Sequence, residues 1–517
     1  MASITLPPAY GVGSLDDAKR YLSDLIEFIS SPLAHSVIVG HLNNTAGSDS
    51  NAVPSIWEDW WNNSWIDNLE LQVIVKRLLL NDLMDDSPPS LKSLAQAIQD
   101  LSLPRKASEN IAQFRLIEQQ RFGLTPKKQH EVERMCAFVN SMAEYPSDSE
   151  DRRQVQHLVD VGAGQGYLTR NLADVPLSFD LLALDSSEDQ VEGAKKRQQE
   201  LEKWQKKVFG RRKALAAKET SPGESNTASL DTQVEGRSSK AGSVTQATVF
   251  VDKDALPTAI DQWMKDQMLS ASEAPVIIIG LHACGSLTPA VLRSFVSLYH
   301  TQKREQLSPR AWRCNGIALV GCCYNRIRGI EKDFPMSSFV ANHPHRPLLQ
   351  LESLHLHLAA QVTHNWLSDW PAFELGLRKI VFRALLERLF SEHGGKMYQA
   401  GLQVGRFNDA AYESWDTYLA RVSERLDGVT YDDLKRREGN ANAKARMEGD
   451  DNARLRRRLE LLHVLRCMLG PVVESLLLVD RWMYLREEVD VQVDVKMVNI
   501  FDQSTGSARN VALVVRL

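Results

Sequence analysis

Apolar residues recur three and four apart in DDAKRYLSDLIEFI and NLELQVIVKRLLLNDLM, and Gly/Asn/Ser and Pro-Pro segments interrupt the pattern. That spacing predicts a mainly helical region over residues 1–120. Trp57, Trp60, Trp61 and Trp65 sit at helical spacing inside it. Aromatic stripes of this kind usually pack into a core rather than stack on bases, so a buried face is expected.

From residue 155 to 325 the period changes. The β-rich runs VQHLVDVG, FDLLALD, ATVFVD, PVIIIGLHA and NGIALVGCC alternate with helical stretches, the pattern of a parallel, doubly wound sheet. Two later runs, VDVKMVNIFD and RNVALVVRL, flank QSTGSA, a short connection that suits antiparallel neighbours. Five parallel strands and a terminal hairpin predict a Rossmann-like, seven-stranded α/β sheet. The expected division is a helical region over 1–120 and a core over 121–329. A helical insertion over 330–458 follows, and residues 459–517 supply a last helix and the hairpin. Within the core, residues of about 195–245 read as a basic helix running into a Ser/Gly-rich loop with too few apolar side chains to order itself.

The glycine-rich segment HLVDVGAGQGYLTR changes the picture from fold to chemistry. A buried strand ends at Asp160, and Gly162, Gly164 and Gly166 make a tight turn into a helix, leaving backbone amides open to a ligand. The spacing is G-x-G-x-G, shorter than the dinucleotide fingerprint, and suits the methionine end of S-adenosylmethionine. Asp185 closes the second strand, where a carboxylate can hold both ribose hydroxyls. Asp252 ends the third predicted strand and is either an acceptor for the adenine amino group or a helix N-cap. Upstream, Thr125 and Pro126 suit a helix start. Lys127 then reaches the cofactor carboxylate or a substrate anion, or forms an ordinary surface pair with Glu131.

The ends of the fourth and fifth strands carry His282, Cys284, Cys322, Cys323 and Tyr324. Three chemistries fit these residue types besides simple pocket packing. His282 can accept a proton from the methyl acceptor. A thiolate of Cys284 or Cys322 can add to a pyrimidine ring. His282, Cys284 and one of Cys322 or Cys323 can also hold zinc, although no CxxC pair marks a metal site and no metal is expected on that ground.

These segments resemble the methyltransferase-like twenty-five family, also labelled ribosomal RNA adenine dimethylase domain-containing proteins. The carriers are TPKKQHEV, VDVGAGQGYLTR, GLHACGSLTP, GCCYNRI with FPMS, FRALLERL, PVVESLLLVDRWMYLRE and IFDQSTGSARNVALVV. The resemblance implies the class I methyltransferase fold, S-adenosylmethionine as cofactor, and cofactor roles for Asp160, Gly162, Gly164, Gly166 and Asp185. The second label implies N6-adenine methylation, which uses an Asn/Asp/Ser-Pro-Pro-aromatic loop after the fourth strand. Here that strand ends Leu281-His282-Ala283-Cys284-Gly285, without the prolines.

Composition narrows the partners. With 61 basic and 66 acidic residues the chain carries a net charge of -5, so any polyanion must meet a local patch. The stretch KKRQQELEKWQKKVFGRRKALAAK, with Trp204 and Phe209, is such a patch for RNA or else a solvated helix. RNA or a protein of the translation machinery is the expected methyl acceptor, nothing points to DNA, and a non-catalytic binding protein on the same fold is the alternative. The N-terminus lacks a basic start with an apolar core, and no run approaches roughly 18 apolar residues, so no membrane association is expected. Six cysteines in so long a chain suit a reducing compartment, cytoplasmic or nuclear.

Overall fold

Strand β1 (His157–Val161) is short, aliphatic and buried at its last four positions, as a strand covered on both faces requires. The other strands are β2 (Asp180–Asp185), β3 (Val244–Thr248), β4 (Ala274–Cys284), β5 (Trp312–Cys322), β6 (Asp494–Asn499) and β7 (Val511–Arg516). They form one sheet in the order β3-β2-β1-β4-β5-β7-β6, with β1 to β5 parallel and β7 antiparallel to both neighbours. This is the seven-stranded α/β sheet expected from the run pattern. The computed structural model describes the chain apart from residues 1–3, 12, 46–56, 58–59, 61–69, 84–86, 145–154, 202, 204–240, 268–272, 305–309, 362, 364, 392–403 and 448–451.

The period of two along each strand divides the core. Val159, Val161, Leu182, Leu184, Val276 and Ile278 face one way, into a cluster shared with the helices Leu15–Ser30 and Gly470–Glu488. Leu158, Leu181, Ile277 and Ile279 face the other way, against the helix Pro126–Ala143. The N-terminal helices therefore cover one sheet face rather than forming a core of their own. Trp57 and Trp60 lie buried in that cluster, and the Trp57 indole donates to Ser90 Oγ at 2.8 Å. Trp61 and Trp65, and Trp204 and Phe209 of the basic stretch, fall outside the described residues. Part of the helical insertion has its own cluster, built from Phe382, Tyr418, Leu419 and Leu434.

Three details differ from the sequence reading. The third strand stops at Thr248, because β2 ends at Asp185, its partner there; Val249 to Asp252 lie beyond the ladder. The β6–β7 connection is longer than a tight turn and includes Ile500 and Phe501, both buried. Finally, Leu455–Glu488 is long and apolar enough to cross a membrane, yet 94% of its most apolar window is buried inside the protein, as in a core helix.

Strand β4 carries the irregularity that shapes the site. Gly280 pairs with Leu319 but Ala283 pairs with Gly321, so β4 contains one residue more than β5 over this step. This bulge, spanning Leu281 and His282, shifts the register so that Cys284 lies opposite Cys322 and leaves His282 exposed beside them.

Candidate functional site

The ends of the parallel strands open into a cavity of about 850 Å³. Its floor begins with the turn after β1, where Gly162, Gly164 and Gly166 have φ of 70°, 54° and 69°. A side chain is strained at such angles. At Gly162 a Cβ would also stand 2.9 Å from Leu287 Cδ2, whereas at Gly164 it would meet nothing closer than Gln190 Oε1 at 3.8 Å. A side chain added at Gly164 would therefore project into open space beside the turn, so this glycine keeps the turn open to a ligand.

Asp185 closes β2 and ties that turn down. Its Oδ2 accepts from the Gly164 amide at 2.9 Å and its Oδ1 from the Ser187 amide at 3.0 Å. Each carboxylate oxygen retains a second lone-pair direction toward the cavity, which both residues line. Asp160, at the end of β1, is 2% exposed and accepts from Thr169 Oγ1 at 2.6 Å. Burial pushes its carboxyl up to about 7; the Thr169 hydrogen bond and the neighbouring His282 act in the opposite direction.

Asp252 lines the cavity, but its Oδ1 accepts from the amides of Asp254 at 2.9 Å and Ala255 at 2.7 Å. These backbone bonds, Ala255 first, hold its carboxyl below the usual range and tie it to the turn that leads into the helix Ala255–Asp266, whose N-cap residue is Asp254. Lys127 is corrected outright. It is exposed and does not line the cavity, because one residue is a 100° turn of a helix; Lys128, its neighbour, does line it. The Lys128 ammonium lies 4.7 Å from the centre of the Tyr167 ring, and the Arg170 and Arg197 guanidinium carbons each lie 4.9 Å from it.

Glu131, assigned only a surface pairing from its spacing, is instead 2% exposed and its Oε2 lies 3.4 Å from His282 Nε2. Its Oε1 is buried without a partner. The residue sits one turn after Lys127 on the helix that covers the sheet, and a helical face read for burial rather than for charge pairs would have found it. The mouth of the cavity carries Arg293, Arg326, Arg328 and Lys332, all on elements that follow β4 and β5.

The thiols divide into two kinds. Cys136, Cys314 and Cys467 are fully buried, and burial pushes each of them up, Cys314 and Cys467 to about 12. Cys284, Cys322 and Cys323 form a cluster whose sulfurs all lie within 4.8 Å of one another, with Cys284 and Cys322 at 3.0 Å. Hydrogen bonding with Cys284 and then Cys323 pushes Cys322 up, while Cys323 is pushed down by Cys322 first and by Arg509 and Arg326 after it. As a free nucleophile Cys322 is corrected on its position: it is 4% exposed and does not line the cavity. Cys284 does line the cavity.

A seven-stranded sheet of this order, with a glycine turn after β1 and a carboxylate after β2, defines a class I methyltransferase domain. Residues 127–329 match the methyltransferase domain family accordingly. The probable methyltransferase-like protein 25 of Mus musculus is 25% identical over 241 residues, and that of Homo sapiens 26% identical over 240 residues. Each match covers 44% of this chain and 35% or 34% of the relative, so it spans about a third of the relatives' length. Among solved structures, the plantazolicin methyltransferase BamL, in complex with a triazolic desmethylPZN analog and SAH, is 14% identical. It covers 56% of this chain and 76% of its own, with a TM-score of 0.19. Residues 127–329 of this chain are a methyltransferase domain, and S-adenosylmethionine is its cofactor.

Proposed function

We propose that this chain methylates RNA. The observation that carries the reading is a set of cations in the cavity lining: Lys128, Arg326, Arg328 and Lys332 stand there together with the acids Glu131, Asp160, Asp185, Asp252 and Asp333, the last of them paired with Arg293 at 2.9 Å. Phosphates would meet these cations, and Tyr167, bordered by three cationic side chains, offers an aromatic face beside them. The missing Pro-Pro-aromatic loop after β4 argues against an N6-adenine acceptor. Transfer of labelled methyl to fractionated RNA and protein from cells lacking this chain tests the reading. Label in RNA supports it, and label confined to protein moves the acceptor to the translation-related protein that the sequence also admits.

The residues fit the cofactor. The turn at Gly162 to Gly166 and Asp160 would hold its methionine end, and Asp185 its ribose. When bound, it supplies an electrophilic methyl group on a sulfonium. Asp185 fixes the glycine turn, Glu131 orients His282, and His282 takes the proton that a neutral nitrogen or oxygen acceptor must lose on methylation. With Nε2 facing the Glu131 carboxylate, Nδ1 is the ring atom left to accept it.

Two results are expected at the cofactor site. Gly164→Arg places a side chain in the cavity, and Asp185→Ala removes a carboxylate; each should weaken S-adenosylmethionine binding about ten- to hundredfold, the worth of a charge-assisted hydrogen bond. Calorimetry on folded variants measures this, and unchanged affinity in both would remove the site assignment.

The buried carboxyl of Asp160 adds a pH dependence. Its folded value, about 7, lies above the ordinary value, so the empty protein loses stability as pH rises from about 4 to 7 and ionisation in the interior becomes unavoidable. A cationic ligand favours the ionised form. Affinity for S-adenosylmethionine should therefore rise with pH up to about 7 and level off above it. Asp160→Asn should bind more weakly and lose that dependence; an unaltered pH profile in Asp160→Asn would exclude Asp160 as its source.

A further inference from the structure

We propose that Cys284, Cys322 and Cys323 bind one zinc ion at the joined ends of β4 and β5, with the fourth coordination position left to water or an external donor. This inference is independent of the methyl acceptor.

The distances are the first support. A tetrahedral ion with Zn–S bonds of about 2.3 Å needs sulfurs roughly 3.8 Å apart. The three sulfurs lie within 4.8 Å of one another, one pair at 3.0 Å, so rotation about the side-chain torsions can bring all three into range. Among the described residues no fourth His, Cys, Asp or Glu joins them. Three protein ligands with one open position is the arrangement of zinc sites that exchange a ligand, as opposed to closed structural sites.

Backbone geometry is the second. Two separate irregularities assemble the cluster. The bulge at Leu281 and His282 advances β4 by one residue and sets Cys284 opposite Cys322. Immediately after, Cys323 adopts φ 47°, ψ 50°, the left-handed conformation that glycine or asparagine adopts at less cost. A cysteine held there, with its sulfur beside the other two, is a strained choice that packing alone does not explain. The contrast with Cys136, Cys314 and Cys467 is plain: those three are fully buried and stand outside the cluster, as small apolar side chains do.

Charge is the third. Zinc with three thiolates leaves one net negative charge, which needs compensation in a half-buried place. Arg509 and Arg326 are the cations whose charge bears on Cys323. The Arg509 guanidinium also has a buried Nε without a partner. Zinc would displace the protons still on the thiols into solvent, with no change of oxidation state.

The test uses the full chain, reduced and stripped of metal with a chelator, then titrated with zinc alone. Elemental analysis after desalting is expected to find one zinc per chain. Cobalt in its place is expected to give the intense near-ultraviolet absorption of thiolate-to-metal charge transfer. Iodoacetamide should modify Cys284 and Cys323 in the metal-free protein and fail to do so after zinc is added. Cys323→Gly is the decisive variant, because glycine accepts φ 47° without strain and the fold should survive. It is expected to bind zinc at least tenfold more weakly while keeping the parent's thermal unfolding midpoint, and Cys322→Ser should show the same loss of zinc. Substoichiometric zinc in the parent, an unchanged zinc affinity in Cys323→Gly, or equal labelling with and without zinc would each overturn the proposal.

Discussion

His282→Ala is expected to lower kcat by about 10²–10⁴, the usual contribution of a positioned general base, with little change in S-adenosylmethionine affinity. The expectation rests on position. The bulge in β4 leaves His282 exposed at the cavity, and the buried Glu131 carboxylate lies 3.4 Å from its Nε2. An imidazole so oriented presents its other nitrogen to an acceptor without having to search for it. The loss should shrink at high pH, where the acceptor deprotonates unaided. Glu131→Gln should retain the ring in place but lower kcat by less than His282→Ala, since the amide holds a hydrogen bond without stabilising the imidazolium. Single-turnover kinetics on the identified acceptor measures both. Equal rates for the parent and His282→Ala at every pH would leave catalysis to positioning alone.

Glu474→Ala is expected to destabilise the fold by about 3–5 kcal/mol, the cost of breaking a buried ion pair on one side. Glu474 is fully enclosed, with Oε2 2.8 Å from Arg105 and Oε1 accepting from Tyr324 Oη at 3.0 Å. Burial raises its carboxyl, and Arg105 leads the groups that lower it again. Arg481, also buried, lies with its guanidinium carbon 5.3 Å from the centre of the Tyr324 ring. Removing the carboxylate leaves Arg105 without its ion-pair partner and frees the phenol, while Arg481 keeps Asp480 and Asp333. Urea unfolding followed by circular dichroism measures the effect, and Glu474→Gln should lose less, because it keeps the Tyr324 bond. Since Tyr324 follows Cys323 directly, the same network anchors the turn that carries the thiols.

The sheet was legible because its signal is local: alternating aliphatic runs, and a glycine turn whose spacing departs from the dinucleotide fingerprint. Gly162, Gly164, Gly166, Asp160 and Asp185 are brought together for the same reason, being attached to the ends of two adjacent parallel strands. Lys127 in place of Lys128 is a phase error of one residue on a helix, where nothing in TPKKQHEV distinguishes the two lysines. Glu131 escaped because a buried acid is recognised by its partner across the fold, and His282 is more than a hundred residues away in sequence. The thiols are expected near one another at two strand ends, but that all three meet, without His282, was not legible. A one-residue bulge and one left-handed φ bring them together, and neither leaves a mark in residue type or periodicity.

Strand β7 lies between β5 and β6, and this placement bears on how the chain is made in a cell. Val320 of β5 pairs with Ala512, so the edge of β5 waits for a partner about 190 residues further along. At a typical synthesis rate of roughly 5–20 residues per second, that edge stays open for about ten to forty seconds after leaving the ribosome. An unpaired row of amides and carbonyls on so apolar a strand is a template for association with other nascent chains. The half-made chain therefore carries an adhesive edge that the finished sheet has closed.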